Sequence, residues 1–336
     1  MTIQEIYDLA VKLGIQNDLR GEAKVRKILK KTKEKYEKLS GEKKKEFDDE
    51  RLTNPFSDTR ILADSKKEIK KIMVGIDIQP AELIIAKQMG VDLVIAHHPL
   101  GAALADLGDV MHLQAEVLAQ YGVPINIAES LTKERISEVA RGVSASNHFR
   151  TVDAAKLLNI GLICVHTPCD NLAATYLEKL IKKAKPETVG EIIQLLKKVP
   201  EYQEAVRRKT GPKIFVGSEE NSAGQIVVSE ITGGTEGAVG IYEKMSQAGI
   251  GTVIGMHMDE ERKKEAQKYH INVVIAGHIS SDSLGVNHFL DELEKRKIEI
   301  IPCSGLIRIS RAKRRKAAAK KPARGGRAIN RADPAR

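Results

Sequence analysis

The apolar run DLVIA, residues 92–96, ends in two adjacent histidines, His97 and His98, followed by Pro99. Two further runs of the same character end alike. GLICV (161–165) leads into His166 and, four residues on, Asp170, while NVVIAG (272–277) leads into His278 and, four residues on, Asp282. Four of the nine histidines therefore stand directly past three apolar runs. Neutral imidazole and carboxylate together suit borderline and harder divalent cations, whereas a thiolate site needs grouped cysteines, and Cys164, Cys169 and Cys303 show no CxxC spacing. A His-x3-Asp pair brings both side chains to one point where a tight turn enters a helix. Adjacent His97 and His98 point apart on an extended backbone, which suits two cations a few ångströms apart, each taking one imidazole. Each residue alone has an ordinary alternative: a polar turn residue for any one of the histidines, a helix N-cap for Asp170 or Asp282. Three coincident run ends favour the metal. His112, His148, His270 and His288 read as turn or surface residues.

To present such groups together, the apolar runs must be strands whose carboxyl ends share a cleft, the usual ligand position in parallel α/β sheets. Strand candidates are 71–78, 92–96, 124–128, 161–166, 213–217, 225–231, 251–256, 272–277 and 298–302, with amphipathic helices expected between them at 80–89, 175–184, 238–248, 260–269 and 284–297. This alternation predicts an α/β protein of two lobes with mostly parallel sheets, facing each other across a metal-containing cleft. The expected divisions are a helical N-terminal extension (1–51), a first α/β lobe (52–185), a linker region rich in breakers (186–212), a second α/β lobe closed by the strand 298–302 (213–307), and a disordered basic tail (308–336).

The net charge of +10 is unevenly placed: residues 308–336 carry +11, residues 1–51 carry +3, and the body between them carries −4. The body is thus no general nucleic-acid binder, and with aromatics at 4% and no Trp it lacks a stacking surface. No apolar run is long enough to predict a membrane span, and Glu5 and Asp8 occupy positions where a secretion signal would be basic or apolar. A cytoplasmic, reducing setting is the expectation.

Three segments carry a family resemblance. GIDIQPAELIIAKQMGVDLVIAHHPL (75–100), LLNIGLICVHTPCDNLAA (157–174) and INVVIAGHISSDSLGVNHFLDEL (271–293) resemble, in order and spacing, the signatures of the Nif-three-like dinuclear-metal family, which includes GTP cyclohydrolase I type 2 homologues. The agreement runs from about residue 56 to 305. The resemblance implies metal ligands at His97, His98, Asp170, His278 and Asp282, two divalent ions (Zn, Mn, Fe or similar), His166 in a supporting role beside them, and a ring-shaped homo-oligomer, commonly a hexamer. It departs at two places. The family's glutamate in the third signature is Asp282 here, one methylene shorter, which bears on whether it bridges two ions. The family's T-G-E strand end reads VIGMHMDEE (253–261), with Met256 in place of the acid and His257, read as exposed, beside it.

A glycine-rich turn, EITGGTEGAVGIYEKM (230–245), makes Gly233, Gly234 and Thr235 a secondary candidate for holding an anion at a helix N-terminus, the alternative being a glycine turn needed for packing. The leading expectation is a metal-dependent hydrolase acting on a small phosphorylated or nucleotide-like substrate through metal-activated water. The rival is a metal-stabilised scaffold without turnover, whose basic tail (308–336) makes non-specific contacts to nucleic acid or an acidic partner.

Overall fold

A computed structural model describes residues 1–312. Its strands are β1 (Arg60–Ala63), β2 (Lys71–Gly75), β3 (Leu93–Ala96), β4 (Gly161–Cys164), β5 (Lys213–Val216), β6 (Gln225–Glu230), β7 (Ile250–Gly255), β8 (Asn272–Ile275) and β9 (Glu299–Cys303). They form two sheets, ordered β1-β4-β3-β2-β9 and β5-β8-β7-β6. Pairing is parallel throughout except at β1 and β5, the antiparallel edge strands. β3, β4 and β8 are buried at every residue, which is why their sequences are unbroken apolar runs rather than alternations: helices cover both faces.

The strand period of two sorts the first sheet between two cores. Ile72, Val74, Leu93 and Ile95 face the helices Ile3–Gln16 and His278–Lys295 through Ile3, Ile6, Phe289 and Leu290. Met73, Val94 and Leu162 face the helices Pro80–Gln88 and Arg150–Leu157 through Leu83, Ala86, Val152 and Ala155. The N-terminal segment is helical as expected, but its first helix, begun by a capping box of Thr2 and Glu5, belongs to the main core rather than lying outside it.

The helices Thr167–Ala184 and His278–Lys295 tie the two sheets together. The first leaves β4 and the second leaves β8, so each starts on a different sheet. Cys169 and Val286 meet in the core of the first sheet, whereas Leu177 and Leu284 meet in that of the second. The pair crosses at Gly285, where a Cβ would lie 2.0 Å from the Cys169 carbonyl oxygen. Only glycine permits that approach.

Several sequence expectations are corrected. The segment 124–128 is not a strand: Pro124 precedes the helix Ile125–Ser144, whose buried Ala128, Thr132 and Val139 lie on one helical face. The short apolar alternation was too brief to distinguish the two periods. A strand at 60–63 was missed. The closing strand 298–302 does not complete the second lobe; β9 pairs in parallel with β2, matching Ile300 to Ile72 and Ile301 to Met73, and so closes the first sheet. Its Pro302 is tolerated because β9 is an edge. The breaker-rich 186–212 segment is no simple linker: the helices Val189–Leu196 and Pro200–Arg207 bury Ile192, Leu196 and Tyr202 against Ile254 and Val274 of the second sheet.

The basic tail begins later than its composition indicates. Residues 307–311 run extended along the His278–Lys295 helix, with the Ile307, Ile309 and Arg311 amides donating to the side chains of Ser283, Asn287 and Asp291. Every second strap residue meets every fourth helix residue, spans of about 6.6 and 6.0 Å that nearly match. Arg311 also forks onto buried Glu201 at 2.7 and 2.8 Å. The remainder of the expected tail, 313–336, lies outside the described residues. Among the described residues, no helix is long and apolar enough to cross a membrane.

Candidate metal centre

The β2–β3 ladder continues past the formal strand end: His97 N donates to Gly75 O at 3.0 Å and His98 N to Ile76 O at 2.9 Å. Both histidines are thereby held on extended backbone, with different second partners. His97 Nδ1 donates to the Val165 carbonyl at 3.0 Å, and His98 Nδ1 donates to Asp77 Oδ1 at 2.7 Å. In the neutral imidazoles this assigns the proton to Nδ1 and leaves both Nε2 lone pairs directed at the cleft, the arrangement that prepares a histidine for a metal. Asp77, two residues past β2, was missed because the strand was expected to run to residue 78, which placed Asp77 inside it rather than at its end.

The carboxylates come from near the starts of the two tying helices, Asp170 from the first turn of Thr167–Ala184 and Asp282 from just past the first turn of His278–Lys295. Asp170 Oδ1 lies 3.3 Å from His97 Nε2, and Asp282 Oδ1 lies 3.5 Å from the same nitrogen. The other Asp282 oxygen lies 3.4 Å from His98 Nε2 and 3.6 Å from His278 Nε2. Three groups able to hold a cation result among the described residues, His97–Asp170–Asp282, His98–His278–Asp282 and His97–His98–His166; the first two share Asp282, one oxygen to each. His97, His98, Asp170, His278 and Asp282 are therefore brought to one place.

The chemistry of this donor set fits divalent metal. His97 Nε2, Asp170 Oδ1 and both Asp282 oxygens are buried without a hydrogen-bond partner. Unpartnered buried acceptors are costly and rare, and four facing one another need positive charge among them. The electrostatics agree. Burial opposes a charged His97, yet the Asp282 and Asp170 carboxylates outweigh it and hold its pKa well above the ordinary value. Burial likewise opposes a charged Asp282, yet His97, His98 and His278 hold that carboxyl far below the usual range. His98 and His278 approach Nε2 to Nε2 at 3.3 Å, a separation that requires one proton or one cation between them.

His166 lies beside His97, with ring centroids 4.9 Å apart. It caps the Thr167–Ala184 helix, its Nδ1 donates to Asp58 Oδ2 at 2.8 Å, and its Nε2 lies 3.7 Å from Asp170 Oδ2. Asp58, fully buried, also accepts from Thr167 Oγ1 at 2.6 Å. Nothing in the local sequence marks Asp58, because its partner is more than a hundred residues away.

His257 is not merely exposed. Its ring stands edge-on to His278 with centroids 4.8 Å apart, and its Nδ1 pairs with Glu236 Oε2 at 3.1 Å. That hydrogen bond, against the opposing effect of burial, raises the His257 pKa. The glycine turn is a packing device. A Cβ on Gly233 would lie 2.7 Å from Gln114 and one on Gly234 2.9 Å from Val110, and both residues have positive φ. The next helix, Ile241–Gln247, begins well beyond Thr235, so no helix N-terminus faces the turn. Thr235 does line a small hollow beside the candidate ligands, together with Glu230, His166, His257 and His278.

The sequence model of the Duf34/NIF3 family (NGG1p interacting factor 3) matches residues 60–120. No curated protein matches the chain. Among solved structures, a NIF3 superfamily protein from Sphaerobacter thermophilus is 24% identical, with 91% of this chain and 99% of that chain covered and a TM-score of 0.70. Reduced HcgD from Methanocaldococcus jannaschii is 17% identical, covering 70% and 84% of the two chains at a TM-score of 0.45. The protein TTHA1606 from Thermus thermophilus is 15% identical, covering 76% and 92% at 0.43. This chain is thus similar to the Duf34/NIF3 family in sequence over β1 to β3 and beyond, and it shares the fold of the Sphaerobacter thermophilus protein over most of its length.

Proposed function

We propose that the chain is a dinuclear metal protein in which His97 and Asp170 hold one divalent ion, His98 and His278 hold the other, and Asp282 bridges them. The observation that carries this reading is the pair of buried, unpartnered Asp282 oxygens, each turned to a different histidine set. The reaction proposed is hydrolysis of a small phosphorylated or nucleotide-like substrate. Divalent ions bound there supply electrophilic charge and a water of lowered pKa. The chain's own contributions are orientation and proton handling: Val165 and Asp77 hold the two imidazoles, and Asp58 fixes His166 with Nε2 free to exchange a proton at the cleft. The exposed Ile84, Ile85, Met89 and Leu157 support a homo-oligomeric assembly of the kind expected for the family.

Metal analysis of the purified full chain tests the base of the reading. Two divalent ions per chain are expected in the wild type, and a His97→Ala/His98→Ala double variant and Asp282→Asn should lose both the ions and turnover of phosphate esters. A wild-type chain that takes up no stoichiometric metal after reconstitution with Zn, Mn or Fe refutes the proposal.

A further inference from the structure

Two hollows open onto the metal groups, and they differ in size and lining. The one toward the second sheet, between His166, Glu230, His257 and His278, has a volume of about 20 Å³. That is room for a water molecule and no more. The one toward the first sheet has a volume of about 400 Å³, and of the candidate ligands His98 lines it. This lies in the range of small-molecule sites. The body of any substrate reaching the metal groups within these hollows must therefore occupy the second.

Its lining selects a chemical class. The floor is apolar, made by Ile78, Pro99, Leu100 and Leu104. The polar side is lined by Ser146, Asn147 and His148, from the segment between the Ile125–Ser144 and Arg150–Leu157 helices, and by Arg150 and Thr151, the first two residues of the latter. Asp77 is the one acid of the lining, and it is engaged with His98. Arg150 has no ion-pair partner among the described residues, and His148 Nε2 is a buried ring nitrogen without a hydrogen-bond partner. Glu82 and Asp153, acids in the first turns of the two helices that begin beside the cavity, do not line it. A free guanidinium and neutral hydrogen-bonding groups above an apolar floor fit a flat ring attached to an oxyanion.

We infer that this cavity is the substrate subsite, that its occupant is a phosphate monoester of a small ring-bearing compound, and that Arg150 pairs with the phosphate while the ring rests on the floor beside His98. The inference rests on the metal reading only in placing the chemistry at the His98 end; the binding itself is testable separately.

Calorimetric titration of the full chain with phenyl phosphate, inorganic phosphate and phenol, alongside metal analysis of the same samples, is the test. Phenyl phosphate should bind the wild type more tightly than inorganic phosphate, and phenol should not bind. Arg150→Ala, a change at an exposed side chain, should weaken phenyl phosphate about tenfold or more and leave metal content unchanged. Equal binding of phenyl phosphate by Arg150→Ala and wild type overturns the inference, as does the absence of wild-type binding. Comparison with Asp282→Asn separates the two readings. Binding that Asp282→Asn keeps and Arg150→Ala loses supports the subsite, whereas binding weakened by both places the phosphate between Arg150 and the metal groups and overturns the ring's place beside His98. Binding lost in Asp282→Asn and unchanged in Arg150→Ala puts the anion on the metals alone; that overturns the subsite and leaves the metal reading standing. A wild type without metal whose phenyl phosphate binding still depends on Arg150 refutes the metal reading and retains the subsite.

Discussion

Gly285→Ala tests whether the spacing of the metal groups is set by the crossing of two helices. The added Cβ would lie 2.0 Å from the Cys169 carbonyl oxygen and 2.7 Å from its carbon. An ordinary contact is about 3.5 Å, so the helices must part by about 1 Å or more. The obstacle is backbone and cannot rotate away, which places the cost at the upper end of overpacking, about 3 kcal/mol. At roughly 2 °C per kcal/mol for a chain of this size, the melting temperature should fall by about 6 °C. Asp170 adjoins Cys169 and Asp282 lies one helical turn before Gly285, so the same displacement draws Asp282 away from His97, from which it is 3.5 Å distant. Metal affinity should drop by about 10- to 100-fold. The assay is thermal unfolding and metal titration of wild type, Gly285→Ala and a control, Gly142→Ala. Gly142 sits in a helix with nothing near its missing Cβ, and its replacement should stabilise by about 0.5–1 kcal/mol. If Gly285→Ala melts with the wild type and binds metal as tightly, the crossing does not set the site and the reasoning fails.

Three further outcomes follow from the same structure. Arg311→Met leaves fully buried Glu201 without its ion pair and should cost about 3–5 kcal/mol in chemical denaturation; equal stability of Arg311→Met and wild type counts against a structural strap. In the metal-free protein, Glu236→Gln should lower the His257 pKa toward its ordinary value in an NMR titration. Because the folded His257 value is raised, the pairing contributes fully below the ordinary pKa and is lost as pH rises through the raised one; a stability difference between Glu236→Gln and wild type that grows above that point contradicts the pairing. Burial pushes the Cys164 thiol up to about 12 and the half-buried Cys303 thiol up to about 11, so at pH 8 iodoacetamide should modify Cys303 slowly and leave Cys164 and Cys169 unmodified until the chain unfolds, as read by mass spectrometry.

Features of this protein whose signal is local were legible from the residues alone. Strands buried on both faces must be continuous apolar runs, so β3, β4 and β8 could be read, and with them the polar residues at their carboxyl ends, His97, His98, Asp170, His278 and Asp282. Features that depend on distant partners were set only by the folded chain. β9 joins the first sheet because the free edge beside β2 is a property of the assembled sheet, which no residue of 299–303 encodes. Asp58 orients His166 across more than a hundred residues, and Arg308 and Arg311 turn the start of a basic segment into a strap because Asp291 and Glu201 await them. How closely the helices that carry Asp170 and Asp282 approach was likewise set away from both residues, by the missing side chain of Gly285 that lets the two helices meet. A side chain's type states what chemistry it offers; its reach is set by how near the backbone that carries it can come.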